Sequence, residues 1–192
     1  MKDTLSPPVS RSAIAVCFSL VGIFIFLGLL VSYRTAGGIF AQSASDIRNL
    51  SVENALFVPS FKKAFTNNLV FCAVILLFAS AYPVTFLSGV LLLFKGFCLG
   101  AAVGLTAKNC VLKEAMSIFF AVFVSNFLVL PLKVLLFLTA VNFSVRSCEL
   151  SSADKAVKYL GFVLKTFVFF ILMCISECIQ LGIGVGVFGG IK

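Results

Sequence analysis

The sequence predicts an all-α fold, a polytopic bundle of about five transmembrane helices forming a single domain over residues 1–192. Three observations predict it. Of 192 residues, 61% are hydrophobic and 11% are charged, where a soluble domain is about 25% charged. The mean hydropathy is +1.16, and a soluble core this apolar would leave too few polar side chains to cover its surface. Finally, long uncharged runs alternate with short charged segments, the pattern required by a bilayer about 30 Å thick.

The first uncharged run lies between Arg11 and Arg34 and predicts a span over 12–33. It exceeds the roughly 7–15 apolar residues of a signal peptide, so the helix is read as retained, although Ala41 and Ser43 leave a cleavage site open. Residues 34–64 form a more polar segment containing Gly37, Gly38, Asp46, Arg48, Glu53, Pro59, Lys62 and Lys63. Within it Ile47, Leu50, Ala55 and Leu56 suit a short amphipathic helix lying on the extracytoplasmic membrane surface.

The next uncharged run, Ala64 to Phe94, is 31 residues, or about 46 Å as one helix. That is too long for one upright span. Pro83 disfavours helix at the residue before it, so the run splits into a span over 65–82 and another over 84–107, a tight hairpin. A fourth span is expected over 115–141, kinked at Pro131. Ser151-x-x-Asp154 resembles a capping box opening a last helix whose apolar part runs over 166–190. Five spans put the termini on opposite sides. Charge gives no orientation, because six basic residues fall on one side (Lys2, Arg11, Arg146, Lys155, Lys158, Lys165) and seven on the other (Arg34, Arg48, Lys62, Lys63, Lys108, Lys113, Lys192).

Missing residue types narrow the chemistry. With no His, the commonest general base and metal ligand are gone, and no nucleophile has a base partner in view. The chain is therefore expected to have no catalytic, cofactor or metal site. Its seven cysteines (Cys17, Cys72, Cys98, Cys110, Cys148, Cys174, Cys178) lack any Cys-x-x-Cys spacing and read as small apolar residues. The net charge of +8 reads as interfacial lysine and arginine facing membrane lipids, with no nucleic-acid partner.

What remains lies inside the spans. Gly89, Gly96, Gly100 and Gly104 fall on one helix face, where the lack of side chains lets a neighbour approach closely. That neighbour is within the chain or on a partner, a homo-oligomer among the options. The last helix carries a similar run in Gly182, Gly186 and Gly190. Lys95 and Glu177 fall near the middle of the third and fifth spans, and Lys133 nearer one end of the fourth. Unpaired charges at mid-bilayer cost about 2.5–3.5 kcal/mol each, so a Lys95–Glu177 pair shared with Lys133 is expected. Asn67, Asn68 and Asn126 are polar groups that neighbouring helices must satisfy.

Three stretches together resemble the stage II sporulation protein M family: Phe65-Thr66-Asn67-Asn68, Phe94-Lys95-Gly96-Phe97-Cys98-Leu99-Gly100, and Ser125-Asn126-Phe127-Leu128-Val129-Leu130-Pro131. Many members carry an acid two positions before that proline, where this chain has Val129. The resemblance implies a cytoplasmic N-terminus and a location at the sporulation septum and engulfing membrane. It further implies a non-catalytic scaffold for septal peptidoglycan remodelling during engulfment, with two hydrolases, stage II sporulation proteins D and P, as partners. The competing reading is a transporter or permease subunit with a midplane Lys/Glu site, although no internal repeat is evident.

Overall fold

The computed structural model describes residues 11–35, 57–109, 126, 128–148 and 152–188. They form five helices: α1 (Arg11–Thr35), α2 (Phe57–Ala79), α3 (Tyr82–Asn109), α4 (Val129–Ser147) and α5 (Ser152–Phe188). Each holds a stretch long and apolar enough to cross a bilayer, and the described residues are all-helical. The outside of the bundle is apolar, with Leu77 70% and Val157 74% exposed. In water such a surface would be an aggregation hazard; in lipid it is the surface required. The protein is a multi-pass membrane protein.

Contacts between helices give their directions. Along the α1–α3 interface Val21 meets Gly96, Ile25 meets Gly100, and Leu29 meets Gly104. The numbers rise together, so α1 and α3 run parallel. Elsewhere they run in opposition. Leu76 of α2 meets Tyr159 of α5, while Phe65 meets Phe170 further along. On α4, Phe137 reaches Gly89 of α3 and Phe143 stacks on Phe162 of α5 at 4.8 Å between ring centroids. The helices alternate up and down through all five spans, so α1 begins and α5 ends at opposite ends of the bundle. At its centre α4 packs against each of the other four, and most of its interior-facing residues are buried, from Val129 to Ser147.

The split at Pro83 is present, with boundaries shifted by a few residues. The α2 helix ends at Ala79, Ser80 and Ala81 turn the chain, and α3 begins at Tyr82. Pro83 thus sits in the first turn of α3, where its missing N–H has no intrahelical partner to lose. A helix end in apolar surroundings must still satisfy its last carbonyls, and side chains do so here. Tyr159 donates its hydroxyl to the Leu76 carbonyl (3.1 Å), Ser80 to Leu77 (2.8 Å), and Thr85 to Phe78 (2.8 Å).

Other boundaries differ from the expected spans. The second helix starts at Phe57, not at 65, so residues 57–64 belong to it and not to a separate surface segment. Pro59 falls in its first turn, where proline is tolerated, and the exposed Lys62 and Lys63 have stems long enough to keep their charges in the interface. The expected amphipathic helix around Ile47–Leu56 lies outside the described residues, as does the 115–125 part of the fourth span. Pro131 lies in the first turn of α4, and that helix continues past Val141 to Ser147; the 115–125 side of the expected kink is outside the described residues. The last helix opens at Ser152 with Asp154 in its first turn; Ser151 and Gly190 are outside the described residues.

Candidate functional site: a buried polar cluster across four helices

One face of α2 is buried at helical spacing: Asn68, Phe71, Cys72, Ile75 and Ala79. Four of these five are apolar or small, as a packed face requires. Asn68 is the exception, fully buried with neither its amide nitrogen nor its oxygen hydrogen-bonded. Its sequence neighbour Asn67 is exposed.

Opposite this face stands Lys133 of α4, also fully buried. Its side-chain nitrogen lies 5.2 Å from the Phe71 ring centroid, close enough for a cation–π contact when protonated, and the approach of Lys95 falls short of hydrogen-bond geometry, leaving it without a hydrogen-bond partner. Lys95 of α3, Glu177 of α5 and Cys72 are its electrostatic neighbours. Glu177 in turn faces Lys95, Lys133 and the side chain of Asn68, although the approach to Asn68 falls short of hydrogen-bond geometry. Four helices thus contribute one polar residue each. Glu177, expected to pair with Lys95, has both Lys95 and Lys133 as electrostatic neighbours, and Lys133 is the more deeply buried of the two lysines.

Lys95 lies in the middle of the span Val84–Leu105, and Glu177 lies past the midpoint of α5, which continues to Phe188. Lys95 is the foremost electrostatic neighbour of Glu177, ahead of Lys133.

The glycine face of α3 serves two neighbours. Gly96, Gly100 and Gly104 back onto α1, and Gly28 of α1 closes the same seam from the other side against Phe97 and Ala101. Gly89 instead receives the tip of Phe137 from α4, with a methyl at Gly89 falling 2.8 Å from the ring. Asn126 is partly buried and helical just before α4. Gly182 and Gly186 lie in α5, and their surroundings are outside what is described.

Residues not singled out from sequence complete the picture. Phe71 supports the ammonium of Lys133, and its place three residues after Asn68 on one helix face was the available signal. Tyr159 and Thr85 close the end of α2, and nothing in their surroundings in the sequence marks them. Among the described residues no three His, Cys, Asp or Glu side chains group as metal ligands. Compared with known proteins, the chain matches no family model, no curated protein and no solved structure.

Proposed function

We propose that this protein is a non-catalytic membrane scaffold of a septal peptidoglycan-remodelling complex acting in engulfment, with its N-terminus in the cytoplasm and the stage II sporulation hydrolases D and P as partners. One observation supports the reading. The stretches behind the family resemblance lie far apart in sequence, yet two of them place Asn68 and Lys95 in one cluster, and the third leads directly into the turn of α4 that carries Lys133. A scaffold also needs a fixed bundle, and the α1–α3 seam supplies helix contact too close to admit side chains. Affinity purification from sporulating cells tests the proposal. Co-purification of the two hydrolases supports it, and their absence from a complex that retains other membrane partners refutes it.

A transporter subunit is the second reading, favoured by the unpartnered ammonium of Lys133 and amide of Asn68 in the bundle interior. Uptake or efflux of a solute by proteoliposomes containing only this chain would favour it over the scaffold.

A further inference from the structure

The last turns of α4 and the first turns of α5 meet at the end of the bundle where α1 begins. Phe143 stacks on Phe162 across this pair at 4.8 Å between centroids, which sets the register. Arg146, three residues on, and Lys158, four residues back, therefore stand about one turn beyond the stack, toward the same end. Arg146 is about two and a half turns along α4 from Phe137, so it points away from α3, which Phe137 reaches. Lys158 lies about 100° round α5 from Tyr159, which reaches α2. Both cations thus border the outer, lipid-facing groove between α4 and α5. Axes of packed helices are about 8–10 Å apart, a width that two such long side chains span. Lys158 is exposed and Arg146 half-buried.

The exposed Lys165 falls on the same stripe of α5 as Lys158, about two turns deeper. Helical side chains lean toward their own N-terminus, so its stem runs back toward Lys158 and the membrane surface. Between the two lysines is Gly161, where an added methyl would meet no atom within 4 Å, and the stripe is notched there. Deeper still it turns apolar, with Val168 and Leu172 both exposed. Among the described residues the only acid at this end is Asp154, in the first turn of α5, so the groove stays net positive. We propose that Arg146, Lys158 and Lys165 bind one anionic phospholipid, its phosphate in the Gly161 notch and its acyl chains along Val168 and Leu172. Charge complementarity favours an anionic headgroup over a zwitterionic one, whose amine would meet the lysines. The apolar continuation of the stripe favours a lipid over free phosphate. The site does not depend on the scaffold role.

The purified chain in neutral detergent is titrated with phosphatidylglycerol or phosphatidylcholine at matched mole fraction while its thermal unfolding midpoint is followed. A ligand that binds only the folded state raises the midpoint by mass action. A saturable rise is expected with phosphatidylglycerol, and none with phosphatidylcholine or with inorganic phosphate. Half-saturation should need several-fold more phosphatidylglycerol in the double variant Arg146→Gln/Lys158→Gln. The same shift is expected in Gly161→Leu, which fills the notch without touching a charge. Lys62→Gln/Lys63→Gln removes two exposed cations from the opposite end and should respond as the wild type does. Equal responses to the two lipids overturn the site, as does a response to inorganic phosphate that matches phosphatidylglycerol. A shift in the Lys62/Lys63 variant as large as in the Arg146/Lys158 variant also overturns it, since the attraction then follows total charge alone. An unchanged half-saturation in Gly161→Leu overturns the site whether or not the Arg146/Lys158 variant folds.

Discussion

Replacing Gly100 with alanine is the smallest change that tests how the bundle is held. A methyl built at Gly100 would run into the carbonyl of Ile25 on α1, with the carbonyl carbon at 2.7 Å and the Cα at 3.0 Å. Ordinary contact begins near 3.4 Å, so the backbone of α1 must retreat by at least about 0.7 Å at a point where every nearest atom is backbone. A gap of about 0.5–1 Å forfeits a quarter to a half of each dispersion contact it opens. Overpacking of this kind costs about 1–3 kcal/mol, well above the gain of up to about 1 kcal/mol that alanine brings to a helix. Gly100→Ala should therefore lower the thermal midpoint and the yield of monodisperse protein, and Gly100→Leu should do so more severely than Ala101→Leu. Gly96 provides a control, since its nearest obstacle is the Val21 carbonyl at 3.3 Å, and alanine there should be nearly neutral. Gly22 and Gly161 have no atom within 4 Å of an added methyl and should accept alanine freely. If Gly100→Ala is as stable as Gly161→Ala, the close α1–α3 approach does not exist.

Three other outcomes are expected. Glu177→Gln leaves two lysines without their carboxylate and should cost about 3–5 kcal/mol, by analogy with broken buried pairs, while adding Lys133→Met should recover part of the loss; strict additivity in denaturation midpoints would mean that the two never interact. Tyr159→Phe strips the hydroxyl from the Leu76 carbonyl and Thr85→Val does the same at Phe78, so each should lower stability by about 1–3 kcal/mol in thermal melts. For topology, membrane-impermeant thiol labelling should find the exposed Cys148 on the same side as an introduced Ser80→Cys and opposite Arg34→Cys. Labelling of Cys148 and the Arg34 position from one side would break the five-span alternation.

Much of the architecture was legible because it depends on lengths. An uncharged run too long for one span, interrupted by Pro83, has few outcomes other than a hairpin, and the hairpin is there within three residues. Faces were harder. Asn67 and Asn68 are indistinguishable in composition, and only the rotation of α2 about its axis, set by packing against its neighbours, buries one and exposes the other. The same holds for Lys95 and Lys133. Counting to the middle of a span favours Lys95, but Lys133 lies on the helix that touches every other, and burial follows that centrality. The start of α2 was misplaced because Lys62 and Lys63 look like a boundary when charge alone is read, although long side chains let a helix carry them past the apolar edge. The beginning of α4 two residues before Pro131 has no sequence marker: Leu128 precedes it and makes no side-chain cap.

The parallel seam between α1 and α3 sets a constraint on biogenesis. Helices that enter the membrane in order leave α1 waiting while α2 passes, since its extensive contacts are with α3 and, to a lesser degree, α4. During that interval α1 is a solitary rod in lipid, with the backbone at Gly28 still unmated. Its segment has the highest mean hydropathy of the five at 2.9, against 1.4 for the first segment to follow it. An orphan helix must be stable in lipid by its own composition, whereas α2 is joined to α3 by a two-residue turn and need not wait alone. The apolar uniformity of α1 thus records the order of insertion, and moving its sequence behind α3 would remove the need for it.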